Sequence, residues 1–156
     1  MENCTEHCIT LKVQAQFMHT FLRFSMYAVI YKRGIAIDEG YTCVMEHGHP
    51  LIVPKNAGVR SFIDVMVEKA QDLINKKTKR DLTIFFYDQG TFEMVERWVF
   101  HAVPIYKPSK RPLNKLRKEM AAINEKIAAL APLKNHCYFL LAMKKNLGKS
   151  LRLNVK

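Results

Sequence analysis

Cysteine and histidine crowd the start of the chain, where Cys4, His7 and Cys8 offer the sulfur and imidazole ligands that hold zinc. Their close spacing makes only half of such a site, and no second Cys/His pair of matching spacing completes it. His47 and His49 form another pair, but they flank Gly48 just before Pro50 and lack a third ligand, so no metal is expected there either. Glu93 and Glu96 could divide acid and base work if their surroundings split their pKa values. Odd spacing along an extended segment puts them on opposite faces, which weakens any dyad. Ser25, Ser61, Ser109 and Ser150 sit in ordinary contexts, none in a Gly-x-Ser-x-Gly elbow. The six glycines are scattered singly, with no Gly-x-Gly-x-x-Gly or Walker pattern to cradle a phosphate. The chemistry-bearing residues therefore point to no enzyme and no cofactor.

Glu96, Arg97 and Trp98 are more informative as a trio. On a strand, Glu96 and Trp98 share one face and Arg97 takes the other, which reads as a core tryptophan beside a surface charge. The other charges are unevenly placed. Residues 1 to 106 hold twelve basic and twelve acidic side chains, while residues 107 to 156 hold thirteen and two, so the whole net charge of +11 belongs to the last third. Such a block attracts nucleic acid or an acidic protein surface, but more commonly it is a solvated face. Four cysteines at uneven spacing argue for reduced thiols over a disulfide framework. Phe17 to Tyr31 is the longest apolar stretch, and His19, Thr20, Arg23 and Ser25 interrupt it, so no membrane span or cleaved signal peptide is expected.

At 156 residues, 49% of them hydrophobic, the chain has the size of one domain with a real core. Residues 1 to 8 read as a flexible arm, and Ile9 to Val13 alternates as a short strand. From Phe17 to Arg33 the apolar residues keep helical spacing but cover more than one face, which predicts a helix packed on several sides. Gly34 stops it, and Lys32 and Arg33 suit its negative end. Tyr41 to Met45 and Leu51 to Val53 read as a hairpin. A second helix, from about Ala57 to Lys76, carries an apolar stripe. The strongest hairpin joins Leu82 to Tyr87 with Met94 to Ile105 through Asp88-Gln89-Gly90. Pro104, Pro108 and Pro112 fence off a basic loop before a third helix, with Leu113, Leu116, Met120, Ile123, Ile127 and Leu130 as its stripe. Cys137 to Met143 is a last apolar strand. The expected class is α+β, three helices packed on a mainly antiparallel sheet.

Met94-Val95-Glu96-Arg97-Trp98-Val99-Phe100 closely resembles the Glu-Arg-Trp strand of the HORMA-domain family, in its mitotic-arrest-deficient, Mad-two-type spindle-checkpoint branch. Ile9-Thr10-Leu11-Lys12 resembles that family's opening strand, and Tyr31-Lys32-Arg33-Gly34-Ile35 the end of its first helix. Leu51-Ile52-Val53, the Val67-Glu68-Lys69 helix, the Asp81 to Asp88 strand and Cys137-Tyr138-Phe139 follow in family order. Together these span roughly residues 9 to 145, expected as a HORMA-like domain.

The resemblance implies a non-enzymatic adaptor that delays anaphase, acting in the nucleus, at the kinetochore and in the cytoplasm. Its peptide-binding residues would be Tyr138, Phe139, Leu140, Leu141 and Ala142, beside which a partner peptide lies as an added strand. The implied partners are checkpoint proteins resembling Mad-one and Cdc-twenty, with another HORMA protein and an AAA+ remodeller; nucleic acid and membrane are not expected. A HORMA adaptor of translesion polymerase zeta or of meiotic and chromosomal complexes is the same-fold alternative, and a basic nucleic-acid-binding module is the alternative of another class. In the family a long C-terminal segment follows the last strand, covering the edge or wrapping a ligand as a safety belt. Here residues 146 to 156 make only a short basic tail, and weaker trapping is expected. The family's helix-mediated pairing surface falls at Ala121 and Ala122, with Glu125 beside them. Alanine supplies neither charge nor side-chain hydrogen bonds there.

Overall fold

A computed structural model describes residues 4–46, 48–76 and 80–145. The tail at 146–156 lies outside them. The order is β1 (Thr5–Gln14), a 3-10 turn, α1 (Met18–Lys32), β2 (Tyr41–Glu46), β3 (His49–Pro54), α2 (Ala57–Asn75), β4 (Arg80–Asp88), β5 (Met94–Ile105), α3 (Pro112–Ala128) and β6 (Cys137–Lys145). These segments match the expected elements within a few residues, save at the start. The first strand begins at Thr5, so Thr5 to Cys8, expected as a flexible arm, are paired in a ladder with Glu96 to Val99.

Among the described residues four strands form the main sheet, in the order β1-β5-β4-β6. β4 pairs antiparallel with both β5 and β6. β1 pairs parallel with β5, from Thr5↔Glu96 to Gln14↔Ile105, making the sheet mixed. Period-two alternation sends Ile9, Leu11 and Val13, then Trp98 and Phe100, then Leu82, Ile84 and Phe86, then Leu141 and Met143 into one core under the helices.

α1 is the hub. Met18, Phe21, Leu22, Met26, Tyr27, Val29 and Ile30 are all buried on it, spread over more than one face. It touches the β2–β3 hairpin on one side and β1 and β5 on the other, with α2 and α3 alongside. Its end is made by Gly34 at φ +75, where the Ile35 amide donates to the Ile30 carbonyl at 3.2 Å and so satisfies a carbonyl the helix leaves open. α2 starts at Asn56, whose side chain accepts from the Val59 amide at 3.0 Å. Such a cap contributes about 1 kcal/mol. α3 opens with Pro112 and buries Leu116, Met120, Ile123 and Ile127 against α1 and β1.

Candidate functional site

Which strand edges are open decides what the sheet can receive, because an edge strand presents unpaired N–H and C=O groups. The two outer strands are β1 and β6. On β1, Lys126 of α3 reaches over and donates from Nζ to the Cys8 carbonyl at 3.0 Å. That cation sits on the backbone another strand would need. Beyond β6, no strand pairs among the described residues.

The alternation along β6 sorts the five expected peptide-binding residues into two roles. Phe139 and Leu141 face the core, Leu141 fully buried. Tyr138, Leu140 and Ala142 are half-buried on the face away from the helices. Tyr138 stacks on its cross-strand partner Tyr87 at 5.5 Å with the rings 16° apart, and Phe85 lies 6.5 Å beyond. An incoming strand would therefore meet a row of backbone groups bordered on one face by Tyr138, Leu140 and Ala142.

At the end of the sheet where β6 begins, Asp88 ties three segments together. Its Oδ1 accepts from the Gly90 and Thr91 amides at 2.7 and 3.1 Å, and its Oδ2 accepts from the Asn135 side chain at 2.8 Å. The Asn135 bond, then the Thr91 and Gly90 amides, hold its carboxyl below the ordinary aspartate range. The Gln89 amide also donates to the His136 carbonyl at 3.0 Å, so the β4–β5 turn fixes the approach to β6 from two sides.

The Glu-Arg-Trp strand is split as its parity requires. Arg97 is on the helix-free face, where it pairs with Glu6. Glu96 and Trp98 point inward, but Glu96 is 4% exposed and needs a partner. Arg33 provides it, donating from Nε and Nη2 to the two carboxylate oxygens at 2.8 Å each, while Trp98 Nε1–H donates at 2.8 Å. The remaining Arg33 nitrogen, Nη1, donates to the Ala131 carbonyl at 2.9 Å. Arg33 is thus not a solvent-facing charge at a helix end. It locks α1 to β5 and to the loop before β6. His7 of β1 stacks on Trp98 at 4.3 Å, with its Nε2 3.5 Å from Glu96. Burial alone would push the Glu96 carboxyl up, yet the hydrogen bonds from Arg33 and Trp98 and the Arg33 charge bring it below the ordinary glutamate range.

Other candidates are placed apart from β6. Ala121, Ala122 and Glu125 are exposed together on α3, next to β1 and so at the opposite side of the sheet. His49 packs edge-on against Phe24 at 5.3 Å, Glu93 is exposed, and no group of metal-ligating side chains gathers among the described residues. Sequence reasoning missed Arg33, Lys126, Asp88 and Asn135 as positioning groups. One available signal was the inward parity of Glu96, since a carboxylate between core positions demands a buried cation.

No family model matches the chain. In sequence it is similar to the mitotic spindle assembly checkpoint protein MAD2A of Dictyostelium discoideum, 24% identical over 140 residues that cover 84% of this chain and 69% of that protein. It is also similar to human MAD2A, 26% identical over 125 residues, covering 80% of this chain and 60% of the human protein. Among solved structures, a chain in the crystal structure of the mitotic checkpoint complex superposes with a TM-score of 0.71 at 18% identity, covering 88% of this chain and 77% of its own. Caenorhabditis elegans HTP-1 bound to HTP-3 motif-1 gives 0.63 at 12% identity, covering 84% and 69%. The chain has the HORMA fold, and in sequence it is similar to MAD2 checkpoint proteins at about a quarter identity.

Proposed function

We propose that this HORMA-fold chain is a spindle-checkpoint adaptor that takes a short segment of a partner protein as an added strand along the edge of β6. The observation that carries the reading is the asymmetry of the two sheet edges. Among the described residues no further strand pairs with either, but β1 carries the Lys126 ammonium on its Cys8 carbonyl and β6 carries no such cation. The sequence likeness to MAD2 proteins supports the checkpoint branch, and partners resembling Mad-one and Cdc-twenty follow from it. A second HORMA protein meeting α3 at Ala121, Ala122 and Glu125, and an AAA+ remodeller, belong to the same proposal. So do action at the kinetochore, in the nucleus and in the cytoplasm, and a role as adaptor rather than catalyst.

Magnitudes say what such a site requires. Five added residues make about five backbone hydrogen bonds at roughly 1 kcal/mol net each. Losing free motion on association costs on the order of 4–15 kcal/mol. The backbone alone does not hold a peptide, so the side chains at Tyr138, Leu140 and Ala142 must supply both the surplus and the selectivity.

The test is titration of the isotope-labelled chain with a peptide from a Mad-one-type or Cdc-twenty-type motif. The expected result is saturable binding that shifts the amide signals of residues 138 to 142 and slows their hydrogen exchange. No binding at high micromolar peptide, or shifts confined to other strands, overturns the proposal.

A further inference from the structure

Between Lys107 and Lys118 the chain places six cations, Lys107, Lys110, Arg111, Lys115, Arg117 and Lys118, and no acidic residue. All six are exposed. Among the described residues none of them takes part in an ion pair, whereas Arg23, Arg33 and Arg97 each hold a carboxylate. Helical periodicity collects Arg111, Lys115 and Lys118 on the side of α3 opposite its buried stripe of Leu116, Met120, Ile123 and Ile127. They border an open recess of about 700 Å³, lined by these three with Asn114, Arg117 and Glu119. No apolar side chain lines it.

We propose that this face of α3 and the loop before it bind the phosphate backbone of nucleic acid without regard to sequence. A protein segment docking here would want an apolar anchor, because exposed ion pairs alone contribute little. A phosphate polymer needs none. It presents charge at regular intervals, and releasing its condensed counterions drives the association. From Arg111 to Lys118 the helix advances about 10 Å. That length matches two or three phosphates of one strand, at about 3.4 Å each. Lys107 and Lys110, exposed in the loop just before α3, add to the local positive charge. Up to residue 106 the chain is balanced, with twelve basic and twelve acidic residues, and six of the net eleven positive charges fall between Lys107 and Lys118, which gives the attraction a direction.

The experiment is fluorescence anisotropy of labelled 20-mer DNA, single- and double-stranded, with the full chain over a range of salt. Log affinity should fall with log salt at a slope of about −2 to −4, as for three or four phosphate contacts. The variant Arg111→Glu/Lys115→Glu/Lys118→Glu should lose at least tenfold in affinity at low salt and flatten that slope, with an unchanged circular dichroism spectrum and melting curve. The control Lys55→Glu/Lys69→Glu/Lys76→Glu carries the same change in net charge on exposed positions elsewhere and should lose much less. Equal losses in both variants overturn the proposal, because net charge and not this face would then bind. An unchanged affinity in the first variant overturns it by placing the contact elsewhere. Polyglutamate competing as well as DNA at equal charge overturns it in favour of an acidic protein partner.

Discussion

Glu96 shows how one inward-facing carboxylate organises its surroundings. Two nitrogens of Arg33 and the indole of Trp98 occupy its oxygens, and His7 lies over Trp98 from the neighbouring strand. Breaking a buried pair from one side leaves the other charge unpaired, at a cost of about 3–5 kcal/mol. Glu96→Gln keeps the shape and loses the charge, and it should lower the free energy of urea unfolding by an amount of that order. Replacing both partners, as in Arg33→Met/Glu96→Leu, should cost clearly less than the sum of the single changes. The pH dependence follows from the direction of the shift. A carboxyl that titrates below its ordinary value, about 4.3 for glutamate, stabilises the fold above that ordinary range, and the contribution is lost as pH falls through the folded value. Acid unfolding followed by circular dichroism should therefore be less steep in Glu96→Gln than in the parent chain.

Edges are the property of elements, and the two here are managed differently. The hydrogen bond from Lys126 to the Cys8 carbonyl is worth about 1 kcal/mol or less where it is exposed to water. Its larger effect is to deny β1 a partner, as lysines at strand edges commonly do. Lys126→Ala should leave the melting temperature nearly unchanged yet raise self-association in concentrated solution, measured by sedimentation velocity. Unaltered sedimentation at millimolar protein would show that other groups protect that edge. Under the proposed function β6 has the opposite requirement, since a strand that is to receive a peptide must stay available while its approach is held still. Asp88 and Asn135 do the holding.

For the molecule as a whole, most of the fold was legible from periodicity and punctuation. The α1 hub showed in apolar residues on more than one face, and the β4–β5 hairpin in Asp88-Gln89-Gly90. The Glu-Arg-Trp strand and its neighbours pointed to the HORMA fold. What could not be read was strand order and the pairing across long separations, since alternation tells which face a residue takes and not which strand lies beside it. That is why Thr5 to Cys8 passed for an arm and why Arg33 passed for a helix-end charge. Its partner lies 63 residues further along. The parallel ladder between β1 and β5 joins residues 91 apart, as in Glu6 and Arg97. During synthesis the first strand leaves the ribosome long before β5 exists to receive it. Closing so large a loop is slow and gains nothing until the ladder forms. β1 is thus placed only after β5 is available, and in pulse-labelled refolding the amides of β1 should gain protection after those of the β4–β5 hairpin. Until then the apolar residues Ile9, Leu11 and Val13 stay open to water, which sets a window in which the newborn chain needs shelter.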